Sequence, residues 1–402
     1  MARQSIGKPT LAAALLVLAL SAEHAAAQAA DPSAECAAYT LPIITSNSAS
    51  FPGVGTQAKI LPNDSVAKAK WDEISGKVVQ SSQKPAGAKP TGYDASDPDC
   101  WWTFNQCTTP KAQGIAPDVV MVPPPSTIGF GFDDGPYCAH DAFYDFLKSQ
   151  NQTATMFFIG SNVFTWPREA QRALADGHEL CTHTWSHPYS RTFSRNFITL
   201  YVQAMKLITG VTTKCFRPPY GDIDDRVRSI AGGLGLRTIL WSYDSEDADV
   251  GIPGITEQSV DTSYNNFIEM AKNGTFANAG TILLQHEVNK FTVTKAMEYY
   301  PKLKEAIQHI VPVSVALNIT QPYVETNFTL PSFDQYIAGV RVGGAAPTAT
   351  SATSPTTSEP SSASATQGSN LSNAGFTTTG MTPFMITLSC TILSATVFLS
   401  VY

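Results

Sequence analysis

The sequence holds no CxxC pair and no excess of cations: Lys and Arg number 26 against 33 Asp and Glu, a formal net charge of -7. Binding to nucleic acid needs clustered Lys and Arg against phosphate, so that class of function is excluded. Without CxxC spacing, thiolate metal binding is disfavoured and disulfides become the leading reading of the cysteines. The chain also lacks a long apolar run at its start. Leu11 to Leu20 matches the core of a signal peptide and is too short to cross a bilayer. Arg3 and Lys8 precede it and the small residues Ala25-Ala26-Ala27 follow, so residues 1–27 read as a signal peptide. No Lys or Arg follows the last apolar run, Phe384 to Tyr402, so the flank that holds a spanning helix in place is missing.

What stands before that run is a short polar spacer, and before it the small residues Asn373-Ala374-Gly375. This order is that of a GPI attachment signal, with Asn373 as the attachment site and 374–402 removed on maturation. An ordinary transmembrane anchor is the competing reading. Two ends addressed to secretion place the protein outside the cell, on the outer leaflet of the plasma membrane and at the cell wall. Six of the seven cysteines then remain in the mature chain: Cys36, Cys100, Cys107, Cys138, Cys181 and Cys215. An even number in an oxidising compartment fits three disulfides, although 15 pairings are open. Cys100 and Cys107 are near enough to close a local loop. Sequons at Asn63, Asn151, Asn273, Asn318, Asn327 and Asn370 agree with N-glycosylation in that compartment.

Residues 28–124 are rich in Ala, Pro, Ser and Asp with little periodicity, and read as a segment wrapping a domain. Their one dense aromatic feature is Trp101-Trp102, which either stacks on sugar rings or, as such pairs more often do, seals a hydrophobic edge. From 125 to 315 the pattern changes. Short β-branched or aromatic runs predict strands at Thr127 to Asp133, Ala154 to Ile159, Gly177 to Thr182, Lys214 to Arg217, Leu236 to Tyr243 and Thr281 to His286. Amphipathic stretches alternate with them, as at Phe143, Phe146 and Leu147. Alternating strands and helices imply parallel βα units, and six or seven of them an α/β fold of the distorted or incomplete (β/α) barrel type. Residues 316–344 read as a C-terminal wrap. Residues 345–373 are Ser, Thr, Ala and Pro, a composition that cannot pack a core and reads as a stalk.

The polar residues of the domain fall in a pattern. Asp133 and Asp134 end the first predicted strand, His183 the third with His187 following, and Arg217 the fourth. Asp244 and Asp247 follow the fifth, and His286 ends the sixth. In parallel α/β barrels active sites are built at the carboxyl ends of the strands. Asp-Asp-Gly-Pro alone is good turn chemistry; its placement level with two histidines and an arginine is what turn chemistry leaves unexplained. His183 and His187, spaced i and i+4, would share one face of a helical turn. A carboxylate from another strand would complete a three-ligand site with an open position for water, the arrangement of catalytic zinc.

Five segments, FDDG (132–135), HTWSH (183–187), RPPY (217–220), DSED (244–247) and LQH (284–286), resemble in order the motifs of NodB-like polysaccharide deacetylases, carbohydrate esterase family 4. The match covers about half the chain, and the secretory ends make it most similar to fungal chitin deacetylases. The resemblance implies that Asp134, His183 and His187 bind the metal and that Asp133 is the base. It implies His286 as acid, Arg217 as the partner of Asp133, and Asp244 or Asp247 as the tuner of His286. Tyr220 would supply a backbone oxyanion donor, and Trp185 and Leu284 would line the acetyl pocket. The position after the second Asp of DSED, aromatic in the family, is Ala248, so Trp241 or Tyr243 is expected to fill that wall. Zn²⁺ is the expected metal, with Co²⁺ also suited to the ligand types. The expected reaction is removal of N-acetyl groups from N-acetylglucosamine units of chitin, giving chitosan and acetate. The partners are chitin or its oligomers and the membrane, with no obligate protein partner. Two alternatives stand beside it: O-deacetylation of xylan, and a cell-wall protein that binds chitin on the same fold without turnover.

Overall fold

The computed structural model describes residues 36–58, 60–62, 64–81, 92–189 and 197–341. The signal peptide, Asn63, Asn370, the stalk, Asn373 and the apolar tail lie outside them. Among the described residues no helix is long and apolar enough to cross a membrane.

Among the described residues, nine short strands form two parallel sheets. β1 (Thr127–Gly129), β7 (Tyr243–Asp244), β8 (Thr281–Leu284) and β9 (His309–Val311) form one, in the order β7-β8-β1-β9. β2 (Gly131–Asp133), β3 (Thr155–Phe158), β4 (Glu179–Thr182), β5 (Cys215–Phe216) and β6 (Arg237–Thr238) form the other, in sequence order. The helices, in chain order, are α1 (Pro42–Asn47), α2 (Ser65–Ser75), α3 (Trp102–Asn105), α4 (Asp141–Ser149), α5 (Gly160–Thr165), α6 (Pro167–Ala175), α7 (Phe197–Thr209), α8 (Asp225–Gly233), α9 (Glu257–Lys272), α10 (Lys290–Ala306), α11 (Val313–Ala316) and α12 (Phe333–Ile337).

The parallel α/β class expected from the sequence is present, with two corrections. The predicted first strand is broken at Phe130, where the chain changes partners: its N–H donates to Val311 of β9 and its carbonyl accepts from Thr155 of β3. The predicted strand over 236–243 is likewise two pieces. Ile239 still donates to Phe216 of β5, whereas Ser242 donates to Ile282 of β8, so the segment crosses from one sheet to the other. Between the sheets, an isolated parallel bridge joins Asp133 to His286, and another ties Val119 of the segment before β1 to Ile239. β9, three residues long, is too short to show a periodic signal.

Two apolar clusters flank the strands. Alternation along each strand sends Met156, Phe158, Leu180 and Phe216 to the larger, outer cluster, which the helices cover. Phe157, Cys181, Cys215, Ile239, Ile282 and Val311 go to the smaller one. The Cys181–Cys215 disulfide lies in this smaller cluster and ties β4 to β5. The others are Cys36–Cys138 and Cys100–Cys107.

The segment before β1 has few helices and is held by discrete contacts. Arg228 of α8, buried, pairs with Asp118 at 2.6 Å and donates to the carbonyls of Cys100 and Cys107. Trp101 is fully buried and donates its indole N–H to Asp222 at 3.0 Å. Trp101 therefore seals an edge, while Trp102 stays partly exposed. Beyond β9, Tyr323 and Tyr336 tie residues 316–341 back to Leu180 and Thr153. The sequon residues Asn151, Asn273, Asn318 and Asn327 are all exposed.

Candidate active site

Strand ends assemble the site. Asp133 is the last residue of β2, His183 follows β4, Arg217 follows β5, and His286 lies two residues past β8. A parallel register keeps these ends level. Asp133 is clamped by backbone bonds on both sides: its N–H donates to Gln285 at 3.0 Å, and its carbonyl accepts from Glu287 at 2.7 Å. That fixes Asp133 beside His286.

The two adjacent carboxylates have different surroundings. Oδ1 of Asp133 accepts a 2.6 Å bond from the fully buried Arg217 guanidinium. Burial pushes the Asp133 carboxyl up to about 6, against the pull of Arg217 and His286. Asp134 turns away at φ 77°. Its Oδ1 is buried and has no hydrogen-bond partner. It lies 3.4 Å from Nε2 of His183 and 3.2 Å from Nε2 of His187. Burial lowers both histidines, His183 well below its ordinary value, so both are neutral near pH 7. Nδ1 of His183 sits 2.8 Å from the carbonyl of Arg217, which only accepts, so Nδ1 carries the proton and Nε2 offers a lone pair. A carboxylate oxygen, the His183 Nε2 lone pair and Nε2 of His187 thus converge. All three ligand atoms lie within 4.8 Å of one another. This donor set fits a divalent cation of the zinc type, with a backbone carbonyl as the outer partner that orients one ligand.

The i, i+4 spacing of the histidines does not act through a helix. Residues 184–186 form a turn, with Thr184 at φ 71° and His187 at φ 56°. Asp134, Thr184, His187 and Tyr220 are all non-glycine residues in the left-handed region, so backbone strain is concentrated around this site.

On the far side, His286 Nδ1 meets Asp247 Oδ1 at 2.6 Å, and its backbone N–H donates to Oδ2 at 3.0 Å. Burial opposes the charge on His286, but Asp247 outweighs it and raises the imidazole to about 10. Of the two acids expected after the fifth strand, Asp247 is therefore the partner of His286. Asp244 is exposed, and its carboxylate accepts from the backbone of Glu246.

Trp185 is a second correction. It is fully buried between Phe51 and Phe164 and donates to the carbonyl of Gly53, so it supports the histidine turn instead of lining a substrate pocket. Leu284 is buried at the end of β8 but belongs to neither apolar cluster. Tyr220 stands at the rim, half exposed, with its ring 4.5 Å from that of His187 and stacked on Tyr189 at 4.2 Å. Trp241 lies 5.9 Å from the Arg217 guanidinium and 5.2 Å from Trp102.

Sequence reasoning missed Glu287. It is fully buried under the Asp-Asp-Gly-Pro turn and bonds to Tyr144 at 2.8 Å and His140 at 3.2 Å. Its adjacency to His286 was the only signal. A Cβ on Gly135 would lie 2.3 Å from Glu287 Oε2, so glycine is required there by close approach. Gly135→Ala is expected to destabilise the fold by about 1–3 kcal/mol through overpacking, read as a lower midpoint of thermal unfolding.

A parallel α/β frame carrying an Asp-His-His cluster, a second carboxylate held by arginine and an imidazole held by aspartate holds the groups that metal-assisted hydrolysis requires. Comparison with known proteins narrows this. Residues 121–239 match the family model described as "Polysaccharide deacetylase". The chain is 45% identical over 351 residues to chitin deacetylase 2 of Cryptococcus neoformans var. grubii, covering 84% of this chain and 76% of that protein. It is 41% identical over 309 residues to the chitin deacetylase of Amylomyces rouxii, covering 73% of each. A solved chitin deacetylase of Colletotrichum lindemuthianum superposes with a TM-score of 0.47 at 24% identity, over 52% of this chain and 96% of that one. The chain belongs to the polysaccharide deacetylase family.

Proposed function

We propose that the protein removes N-acetyl groups from the N-acetylglucosamine units of chitin, giving chitosan and acetate. The observation that carries the chemistry is the buried, unpartnered Asp134 Oδ1 between two neutral imidazoles, beside a second carboxylate, Asp133, that is held by Arg217. The substrate is supported by the names of the relatives at 45% and 41% identity.

Asp134, His183 and His187 hold the cation, Zn²⁺ by preference and Co²⁺ by similar ligand types. When bound, it supplies Lewis acidity toward the acyl oxygen and toward water. The remaining work belongs to the chain. Asp133 has Oδ1 occupied by Arg217, so Oδ2 receives the proton of the attacking water. The backbone N–H of Tyr220 supports the developing oxyanion. His286 has Nδ1 occupied by Asp247, so Nε2 delivers a proton to the departing amine. Leu284 and Trp241 wall the acetyl side, Trp241 standing in for the aromatic that Ala248 replaces. The two sheets form the parts of one distorted barrel, a reading supported by the bridge 133–286 and by the segment that crosses from β6 to β7.

Purified protein incubated with chitin oligomers and Zn²⁺ or Co²⁺ is expected to release acetate. Release from acetylxylan alone would transfer the reading to O-deacetylation. Oligomer binding with no acetate from either substrate would leave a wall-binding protein.

The mature protein is further proposed to be secreted and held by a GPI anchor at Asn373, in keeping with the disulfides and the exposed sequons. Cells treated with phosphatidylinositol-specific phospholipase are expected to shed it; retention would indicate a spanning helix.

A further inference from the structure

Beside the catalytic rim lies an open cleft of about 390 Å³, lined by Trp102, Gln106, Val120, Trp241 and Asp244 among others. Of these side chains, Trp241 also walls the acetyl side, and the others do not touch the Asp-His-His cluster. The cleft adjoins the site: the Trp241 ring lies 5.9 Å from the Arg217 guanidinium, and Asp244 pairs in register with Leu284, two residues before His286. One wall comes from the segment before β1, which lies outside the family-matched region 121–239.

That wall is built to hold still. The Cys100–Cys107 disulfide closes the loop that carries Trp102. Arg228 fastens the carbonyls of both cysteines, and Trp101 and Thr103, on either side of Trp102, bond to Asp222. Trp102 donates its backbone N–H to Ile223. Its ring packs against Gly221, where a Cβ would come within 2.6 Å of the indole. Gly221 directly follows Tyr220, the half-exposed aromatic at the metal-ligand side. The rim therefore presents two ring pairs, Tyr189 stacked on Tyr220 and Trp102 tilted against Trp241, the second sharing its cleft with Asp244. A β-linked sugar polymer offers apolar C–H faces edged by hydroxyl and amide donors, which match a rigid indole surface beside a carboxylate.

We propose that Trp102, with Trp241 and Asp244, forms a binding subsite for the sugar unit next to the one undergoing deacetylation. The disulfide-closed loop before the catalytic domain is thus a determinant of chain-length preference. This rests on the chitin reading above. The test uses N-acetylglucosamine oligomers of two and five units, with acetate release and equilibrium binding measured separately. For Trp102→Ala, kcat/KM on the pentamer is expected to fall roughly tenfold more than on the dimer, mainly through KM, and pentamer affinity to fall in parallel. Trp102→Phe should restore most of the loss, because it keeps a flat apolar face. Asp244→Asn, which keeps a side-chain oxygen to accept from the Glu246 N–H, should also weaken the pentamer selectively. Equal loss on both lengths for Trp102→Ala and Asp244→Asn would overturn the subsite, as would unaltered pentamer binding in both. If the wild-type protein releases no acetate, the chitin-deacetylase reading fails by itself; the subsite then stands or falls on pentamer binding by wild type against these variants.

Discussion

Replacing Asp133 by asparagine is expected to leave the bound cation in place and to lower acetate release by about 10²–10⁴-fold, the usual contribution of a positioned acid or base. Replacing Asp134 by asparagine is expected instead to lose the cation. The difference follows from where each carboxylate points. Asp133 is committed to Arg217 through Oδ1 and contacts His183 Nε2 only at 3.7 Å. Asp134 supplies the one oxygen lying between both imidazoles. Without its charge, two neutral nitrogens remain, and affinity should drop by more than the roughly 10–100-fold typical of losing an outer hydrogen-bonding partner. Metal content after gel filtration, set beside activity with excess Zn²⁺, separates the variants. Full metal occupancy in both would refute this division of labour. Asparagine at 133 keeps the shape and can still accept from Arg217, so wholesale unfolding is not the expected cause of its inactivity.

Much of this site was legible before the fold was known, because a parallel sheet converts sequence position into spatial level. Asp133, His183, Arg217 and His286 each stand at or just past a run of apolar strand residues, and the register brings those ends together. What could not be read depends on direction and burial. Trp185 sits between His183 and His187 in HTWSH, yet the left-handed turn at Thr184 sends its indole into the apolar cluster under Phe51. Periodicity carries no trace of such a turn. Asp244 ends β7 and Asp247 lies three residues on, and the turn through Glu246, at φ 59°, decides which one reaches His286. Glu287 was hidden for another reason. A buried carboxylate is intelligible only with its partners, and Tyr144 and His140 come from nearly 150 residues away.

The broken strands have the same origin. Thr127 to Asp133 has an unbroken apolar-aromatic pattern, but Phe130 bonds to β9 on one side and β3 on the other, so neither sheet claims the whole run. Local propensity specifies an extended chain; which neighbour pairs with each half is set by the helices and loops that bring β3, β8 and β9 into place.

Asp247→Asn is expected to remove activity in a pH-dependent way. In the native protein Asp247 overcomes burial and holds His286 at about 10, so the imidazole keeps its proton through the neutral and mildly alkaline range. An acid must be protonated to donate. Native activity attributable to this step should therefore be present below that value and decline as pH rises through it. With asparagine at 247 the raising charge is gone while burial remains, and burial favours the neutral ring. The alkaline limb should then move down toward or below the ordinary histidine value of about 6.5. Between these limits the variant should lose up to about 10²-fold in kcat, and the loss should shrink as pH falls. Stability follows the same sign: a raised histidine stabilises the fold fully below its unfolded value and loses that contribution as pH rises through about 10. The native-minus-variant difference in unfolding free energy should therefore narrow at high pH. A kcat–pH profile whose alkaline limb is unmoved by Asp247→Asn would show that His286 is not the group delivering the proton, and the role would have to be sought elsewhere on the rim.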